Sequence, residues 1–259
     1  MRIYRFRYRK KILQGILKEE FLFPIVGSVF GDFRIGTSPV PIGDVRVLPP
    51  VLPSTIIGIG RNYQDHAKEM GNRLPEEPLI FLKPPTAVIG HLDPVVQPPS
   101  AGRVDYEGEV AVVIRKKSRR LGDDDPVDDC ILGYTCFNDV TARDLQNRDV
   151  QFTRAKGFDT FAAVGPCVAT GLDPAGIRLK TFLNGKLVQS GTTANLIFPI
   201  PFLVRFLSRI MTLNPGDIIA TGTPAGVGPT SPGDRVDVQI EGVGVLSNTF
   251  TRLTCKEEI

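Results

Sequence analysis

Several features that would place a protein at once are missing from this chain. It has four cysteines in 259 residues, and Cys130, Cys136, Cys167 and Cys255 form no CxxC pair and have no histidine near them. That pattern argues against a zinc site and for free thiols in a reducing compartment. No apolar run approaches the roughly 20 residues that a membrane-spanning helix needs. The basic start, MRIYRFRYRKK, is followed by no apolar core, so no secretory signal is expected. Charge of one sign is scarce too: the net charge of +3 is too mild to demand an anionic polymer as partner. There is no internal repeat and no low-complexity tract. A GxxxxGK[ST] phosphate loop is absent, and the dinucleotide fingerprint fails because Tyr63 stands where the third glycine after Gly58 and Gly60 must be. These absences leave a cytoplasmic protein of enzyme size, with no nucleic acid and no membrane as partner.

What is present is ordinary in bulk and specific in detail. Hydrophobic residues make up 42% and charged residues 23%, as in a soluble globular protein. The 22 prolines and 26 glycines are spread along the chain and predict many short strands and turns. The Pro-rich stretch VLPPVLPS divides the chain into a small β-rich N-terminal domain, 1–53, and a main domain, 54–259. In YRFRYRK basic and aromatic residues alternate. Tyr4, Phe6 and Tyr8 then pack inward and Arg5, Arg7 and Arg9 form a solvated face, with nucleic-acid contact the less favoured reading.

Further along, TIIGIG reads as a strand and RNYQDHAKEMG as a short helix with Asn62 as N-cap and Gly71 as its stop. His66 and Glu69 are three residues apart on that helix, the spacing of an imidazole whose basicity a carboxylate raises. Such pairs are also common on surfaces, and that is the blander meaning. In PLIFLKPPTAVIG, Lys83 either snorkels at a strand end or points into a polar cavity. ILGYTCFNDVTARDLQ is a strand ending at Asn138 and Asp139, and Asp139 taken alone best caps the helix that follows. Lys156 stands just before a glycine turn. Asn184–Gly185 suits a type I′ hairpin. FLVRFLSRIM predicts an amphipathic helix with Phe202, Leu203, Phe206, Leu207 and Ile210 toward the core. Gly222 and Thr223 offer N–H and hydroxyl donors to a small anion such as a carboxylate.

The most informative stretch is VDYEGEVAVVI. At strand period, Asp105, Glu107 and Glu109 fall on one face, where an interior strand would carry Val. Two readings weigh equally on spacing alone. The face is a solvated edge, or it is a platform for a hard cation, with Asp139 as third ligand and substrate oxygens completing the shell.

GIGRNYQDHAKEM, FLKPPTAVIG, DYEGEVAVVI, FNDVTARDLQ, TRAKGFDTFAAVGP, FLNGKLVQSG and IIATGTPAGVGP resemble, in that order, the motifs of the fumarylacetoacetate hydrolase family. The N-terminal 50 residues resemble the small domain of bacterial members called 2-hydroxyhepta-2,4-diene-1,7-dioate isomerases. The resemblance implies a mixed, β-rich fold, a β-roll with a small N-terminal domain, and a Mg²⁺ or Mn²⁺ ion. It implies Glu107, Glu109 and Asp139 as metal ligands and Lys156 as a catalytic lysine beside the substrate. It makes His66 and Glu69 a water-activating dyad on a lid from Arg61 to about Leu74. Arg61, Lys83, Arg143, Gln146, Gly222 and Thr223 are the implied substrate contacts. The implied activity is metal-dependent chemistry on a small 2-oxo acid of aromatic catabolism through its enolate. C–C hydrolysis of an acylpyruvate ranks first. Isomerisation or decarboxylation of a 2-hydroxy-dienedioate, or decarboxylation of oxaloacetate, is the alternative, and a non-catalytic ligand-binding protein is remote. A homodimer is implied, with a tetramer as the variant.

Overall fold

The computed structural model describes residues 1–69 and 73–253, without the side chains of residues 66–68. Its frame is one large sheet. From one edge inward run Phe33–Ile35, Phe21–Gly27, Lys11–Lys18 and Arg2–Tyr8, an antiparallel meander built by the first 35 residues. Arg2–Tyr8 then pairs with Ala162–Ala169, through Arg2 opposite Ala169 and Ile3 opposite Val168. The sheet continues through Ile131–Asp139, Gly108–Ile114, Ile218–Ala220 and Ile56–Gly60 to Leu79–Lys83 at the far edge. The N-terminal strands therefore extend the main sheet.

A second sheet orders Val95–Gln97, Gly244–Arg252, Arg235–Ile240, Arg178–Leu183 and Lys186–Thr192. Gly244–Arg252 packs on Ala162–Ala169, and the apolar layer between the sheets is the larger core. Strand period shows directly in Gly108–Ile114. Val110, Val112 and Ile114 enter this core, while Ala111 and Val113 enter a second cluster on the opposite face of the large sheet. Tyr4 and Phe6 join the larger core, Tyr8 packs against it, and Arg7 and Arg9 are exposed, as the alternation predicts. Among the described residues no helix is long and apolar enough to cross a membrane.

Local expectations fare unevenly. Asn184 and Gly185 have φ of 51° and 80° between Arg178–Leu183 and Lys186–Thr192, as a type I′ turn requires. The long helix spans Ile200–Ile210, but its buried residues are Ile200, Leu203, Val204, Leu207 and Ser208. Phe202 and Ile210 are exposed, and Phe202 stacks between Phe198 and Phe206 with ring centroids 5.7 and 5.9 Å apart. The predicted stripe is rotated because the helix begins earlier, at Pro199 as N-cap, which puts Ile200 against the core. Asn62 does not cap Gln64–Glu69. Its amide donates to the carbonyls of Phe198 (3.1 Å) and Thr221 (2.8 Å) and accepts from the Phe198 N–H (2.8 Å), tying three segments together. Gly71 lies outside the described residues.

Candidate active site

The acidic stretch is not one strand. It breaks at Glu107 into Val104–Tyr106 and Gly108–Ile114, and the first piece joins a small sheet with Thr141–Ala142 and Gly228–Pro229. The break is held by named bonds. The Glu107 N–H donates to Asn138 Oδ1 at 3.0 Å, the Asp139 N–H to the Glu107 carbonyl at 2.8 Å, and the Gly108 N–H to Gln189 Oε1 at 3.0 Å. Asp139 is the last residue of Ile131–Asp139, and Glu109 shares strand parity with Ala111, on the face of the second cluster. These placements bring one carboxylate oxygen from each of Glu107, Glu109 and Asp139 within 4.8 Å of one another, all three residues buried. The face is neither wet nor an edge.

Positive charge sits on it instead. Lys156, at the end of Thr153–Lys156, donates to Glu107 Oε2 (2.9 Å), Asp139 Oδ2 (2.5 Å) and Thr141 Oγ1 (2.9 Å). Burial works against its charge, but Asp139 and Glu107 outweigh burial and raise its pKa above the usual lysine value. Lys83 bonds Asp139 Oδ1 and donates to the Val140 carbonyl at 3.2 Å. For Lys83 burial wins and its pKa falls, against the pull of Asp139. Arg143 spans Asp105 Oδ2 (2.8 Å) and Glu107 Oε1 (2.5 Å) and also bonds Gln146 Oε1. Asp105, clamped by Arg103 and Arg143, thus anchors the arginine and stands apart from the three clustered carboxylates.

Glu109 is the exception, since its partner is the Gly222 N–H at 2.8 Å and, among the described residues, it forms no ion pair. Burial first, then the charges of Asp139 and Glu107, push its pKa well above the carboxylate range. Four buried carboxylates (Asp105, Glu107, Glu109, Asp139) meet three buried cations (Lys83, Arg143, Lys156). Glu107, Glu109 and Asp139 converge hard oxygen donors on one point, which suits a hard divalent cation.

A cavity of about 170 Å³ opens over this cluster, lined by the three carboxylates with Arg61, Arg143, Gln146, Lys156 and Thr223. Ile59, Gly60, Phe81, Asn147 and Phe152 complete it. Of the expected substrate contacts, Lys83 and Gly222 do not line the cavity. Lys83 points into the polar cluster beneath it, and the Gly222 N–H does meet a carboxylate, but the protein's own Glu109. The Thr223 hydroxyl donates to the Gly108 carbonyl at 2.9 Å and accepts from Gln189 Nε2 at 2.8 Å. Asp139 caps nothing, because Arg143–Arg148 starts after Ala142 with no side-chain cap. Glu69 ends the helix Gln64–Glu69, and both its oxygens accept from the Gly226 N–H at 3.1 Å. That contact holds the helix against the Gly-rich loop after Thr223. The His66 side chain and part of the expected lid lie outside the described residues.

Sequence reasoning missed the lining residues Phe81, Phe152 and Asn147, and Gln189 beneath Thr223. Only Phe81 carried a signal, two residues before a buried lysine on the same strand face.

Fold and site together define a β-roll protein whose buried carboxylate cluster could hold a metal ion. Residues 55–251 match the family described as fumarylacetoacetate (FAA) hydrolase C-terminal, and residues 1–50 match the one described as Rv2993c-like, N-terminal. The chain belongs to the fumarylacetoacetate hydrolase family. Oxaloacetate tautomerase YisK of Bacillus subtilis is 44% identical over 83% of this chain and 76% of its own length. A 2-hydroxyhepta-2,4-diene-1,7-dioate isomerase from Mycobacterium marinum superposes with a TM-score of 0.90 at 40% identity, covering 97% of this chain and 98% of its own. Maleylpyruvate hydrolase from Sphingobium, in complex with manganese(II) and pyruvate, gives a TM-score of 0.80 at 31% identity over 98% and 100%.

Proposed function

We propose that the protein is a divalent-metal enzyme that converts a small 2-oxo acid through its enolate, with keto–enol tautomerisation or isomerisation as the outcome. The observation that carries this reading is Lys156, buried, charged and bonded to two of the three clustered carboxylates at the floor of the cavity. Glu107, Glu109 and Asp139 are the residues that would hold Mg²⁺ or Mn²⁺. The ion would supply positive charge to the oxygen on which an enolate's charge develops.

The chain's own groups do the rest. Lys156 presents a second positive centre to that oxygen and can pass a proton to it and take it back. Arg143 is held by Asp105 and Glu107, and it holds the Gln146 amide at the cavity wall. Arg61, exposed at the rim, has no ion-pair partner among the described residues and is placed to receive a substrate carboxylate. Ile59, Phe81 and Phe152 give the cavity an apolar side that limits water around the reacting carbons. The YisK and M. marinum relatives, at 44% and 40% identity, support tautomerisation or isomerisation.

C–C hydrolysis of an acylpyruvate is the second reading. It is favoured by Glu69, whose hold on Gly226 sets the helix carrying His66 beside the loop that lines the cavity. His66 would then generate the attacking hydroxide.

A panel of oxaloacetate, acylpyruvates and 2-hydroxy-dienedioates, assayed with Mg²⁺ and after chelation, tests both readings. Metal-dependent enolisation of oxaloacetate without cleavage supports the first, and cleavage of an acylpyruvate supports the second. Turnover that survives chelation contradicts both.

A further inference from the structure

Gly58 fails as part of a nucleotide fingerprint, yet the structure leaves room for nothing larger there. In the antiparallel pair of Ile56–Gly60 with Leu79–Lys83, Gly58 stands opposite Phe81. A Cβ on Gly58 would fall 2.1 Å from Phe81 Cζ and 2.3 Å from Cε2, so the ring lies across the neighbouring strand on the bare Cα. The next strand also keeps its side chain small at this level, where Ala220 pairs with Gly58. Lys156 Nζ stands over the Phe81 ring, 4.7 Å from its centroid. The ring also meets Phe152 edge-on, with centroids 5.8 Å apart and planes at 68°.

The consequence for Lys156 is geometric. Its three N–H groups have three acceptors, on Glu107, Asp139 and Thr141. The aromatic face attracts the ammonium but offers no lone pair to draw an N–H away from those oxygens. A leucine or valine would fill space without that attraction. A polar residue would compete for the proton donors.

We infer that Phe81, seated on Gly58, is a positioning residue that holds the Lys156 ammonium against the carboxylate cluster. Its importance for turnover rests on the reading of Lys156 as the group that meets substrate. Its effect on the lysine does not.

The test is site-resolved labelling of the metal-free protein with acetic anhydride, read by peptide mass spectrometry. It compares the parent with Phe81→Ala, Phe81→Leu and Gly58→Ala. The Lys156 rate, relative to exposed lysines, should rise at least tenfold in Phe81→Ala and Gly58→Ala and less in Phe81→Leu. Lys83, equally buried but bonded from the other side of Asp139, should keep its parent rate and so reports general loosening. In parallel, kcat on the 2-oxo acid that is turned over should fall roughly three- to thirtyfold, the range of a desolvated cation–π contact, with KM changed by less than twofold. An unchanged Lys156 rate overturns the inference, and so does a Lys83 rate that climbs in step. If Phe81→Ala does not fold, Phe81→Leu and Gly58→Ala decide. Absence of any 2-oxo acid turnover in the parent would sink the functional reading and leave the labelling result standing.

Discussion

Lys156 Nζ and Asp139 Oδ2 are 2.5 Å apart, and both residues are buried. The lysine thereby occupies oxygens that a divalent cation would also use. Replacing it should separate affinity from chemistry. Lys156→Met removes a competing positive charge from the cluster, so Mn²⁺ measured by calorimetry should bind several-fold more tightly. Turnover of a 2-oxo acid should fall by about a hundredfold or more, the scale of losing a preorganised group beside developing charge. Weaker Mn²⁺ binding in the variant would show that Lys156 helps to build the cluster and does not compete within it.

The three carboxylates should differ in what they do for stability. Asp139→Ala leaves Lys83 and Lys156 short of a shared partner in a buried site, a loss of about 3–5 kcal/mol for a broken buried pair. Glu109→Gln removes a carboxylate that forms no ion pair among the described residues and that Asp139 and Glu107 repel more than Lys156 attracts. The metal-free protein should be unchanged or stabilised by it. Urea titrations of both variants give the comparison, and equal destabilisation would contradict the charge distribution described above. Both variants should lose metal-dependent turnover.

His66 divides the reactions. Hydrolysis needs a base to make hydroxide, so His66→Ala should lower acylpyruvate cleavage by roughly a hundredfold or more. Decarboxylation of oxaloacetate needs only correct orientation beside positive charge and should fall much less. If both drop together in parallel assays, the residue serves the helix and not water activation.

Two thiols should be inert. Burial first, then the neighbouring Cys167, pushes the Cys136 thiol far up, and burial pushes the Cys167 thiol up to about 12. A raised thiol pKa means less thiolate. At pH 8 Cys167 would be ionised to roughly one part in ten thousand, against about a quarter for a free thiol. Iodoacetamide labelling of Cys136 and Cys167, mapped by mass spectrometry, should stay negligible from pH 7 to 9 and appear only with unfolding. Labelling that climbs across that range in folded protein would show a more open sheet.

The order of elements was legible because it rests on period and punctuation. The run Val110 to Ile114 feeds two cores, and Asn184–Gly185 turns a hairpin. The three-carboxylate cluster was legible through its motifs, since on spacing alone it weighed no more than a wet edge. Hidden were the consequences of distance in sequence. Nothing local shows that Asn62 will bridge Phe198 and Thr221 instead of capping its own helix, or that Glu109 will take the Gly222 N–H meant for an anion. Period two also could not show that the acidic strand breaks at Glu107, which turns Asp105 from a cluster member into the anchor of Arg143. The long helix was misphased because its stripe was counted from Phe202, whereas the helix starts two residues earlier, at the buried Ile200.

The pairing of Arg2–Tyr8 with Ala162–Ala169 has a further consequence. Ala162–Ala169 is buried throughout, is rich in small apolar residues, and lies next to the strand that ends in Asp139. Stripped of the first 50 residues, it would present part of its length as a bare row of backbone donors and acceptors, the kind of margin that recruits strands from other chains. The N-terminal meander works as a hem. It moves the raw margin of the sheet outward to Phe33–Ile35, a strand of only three residues whose side chains are exposed or half-buried, where stray pairing gains little. What looks like an appendage in the sequence is, in the sheet, a cover for the Val168–Ala169 end of this strand, while Val88–Ile89 covers the end beside Asp139.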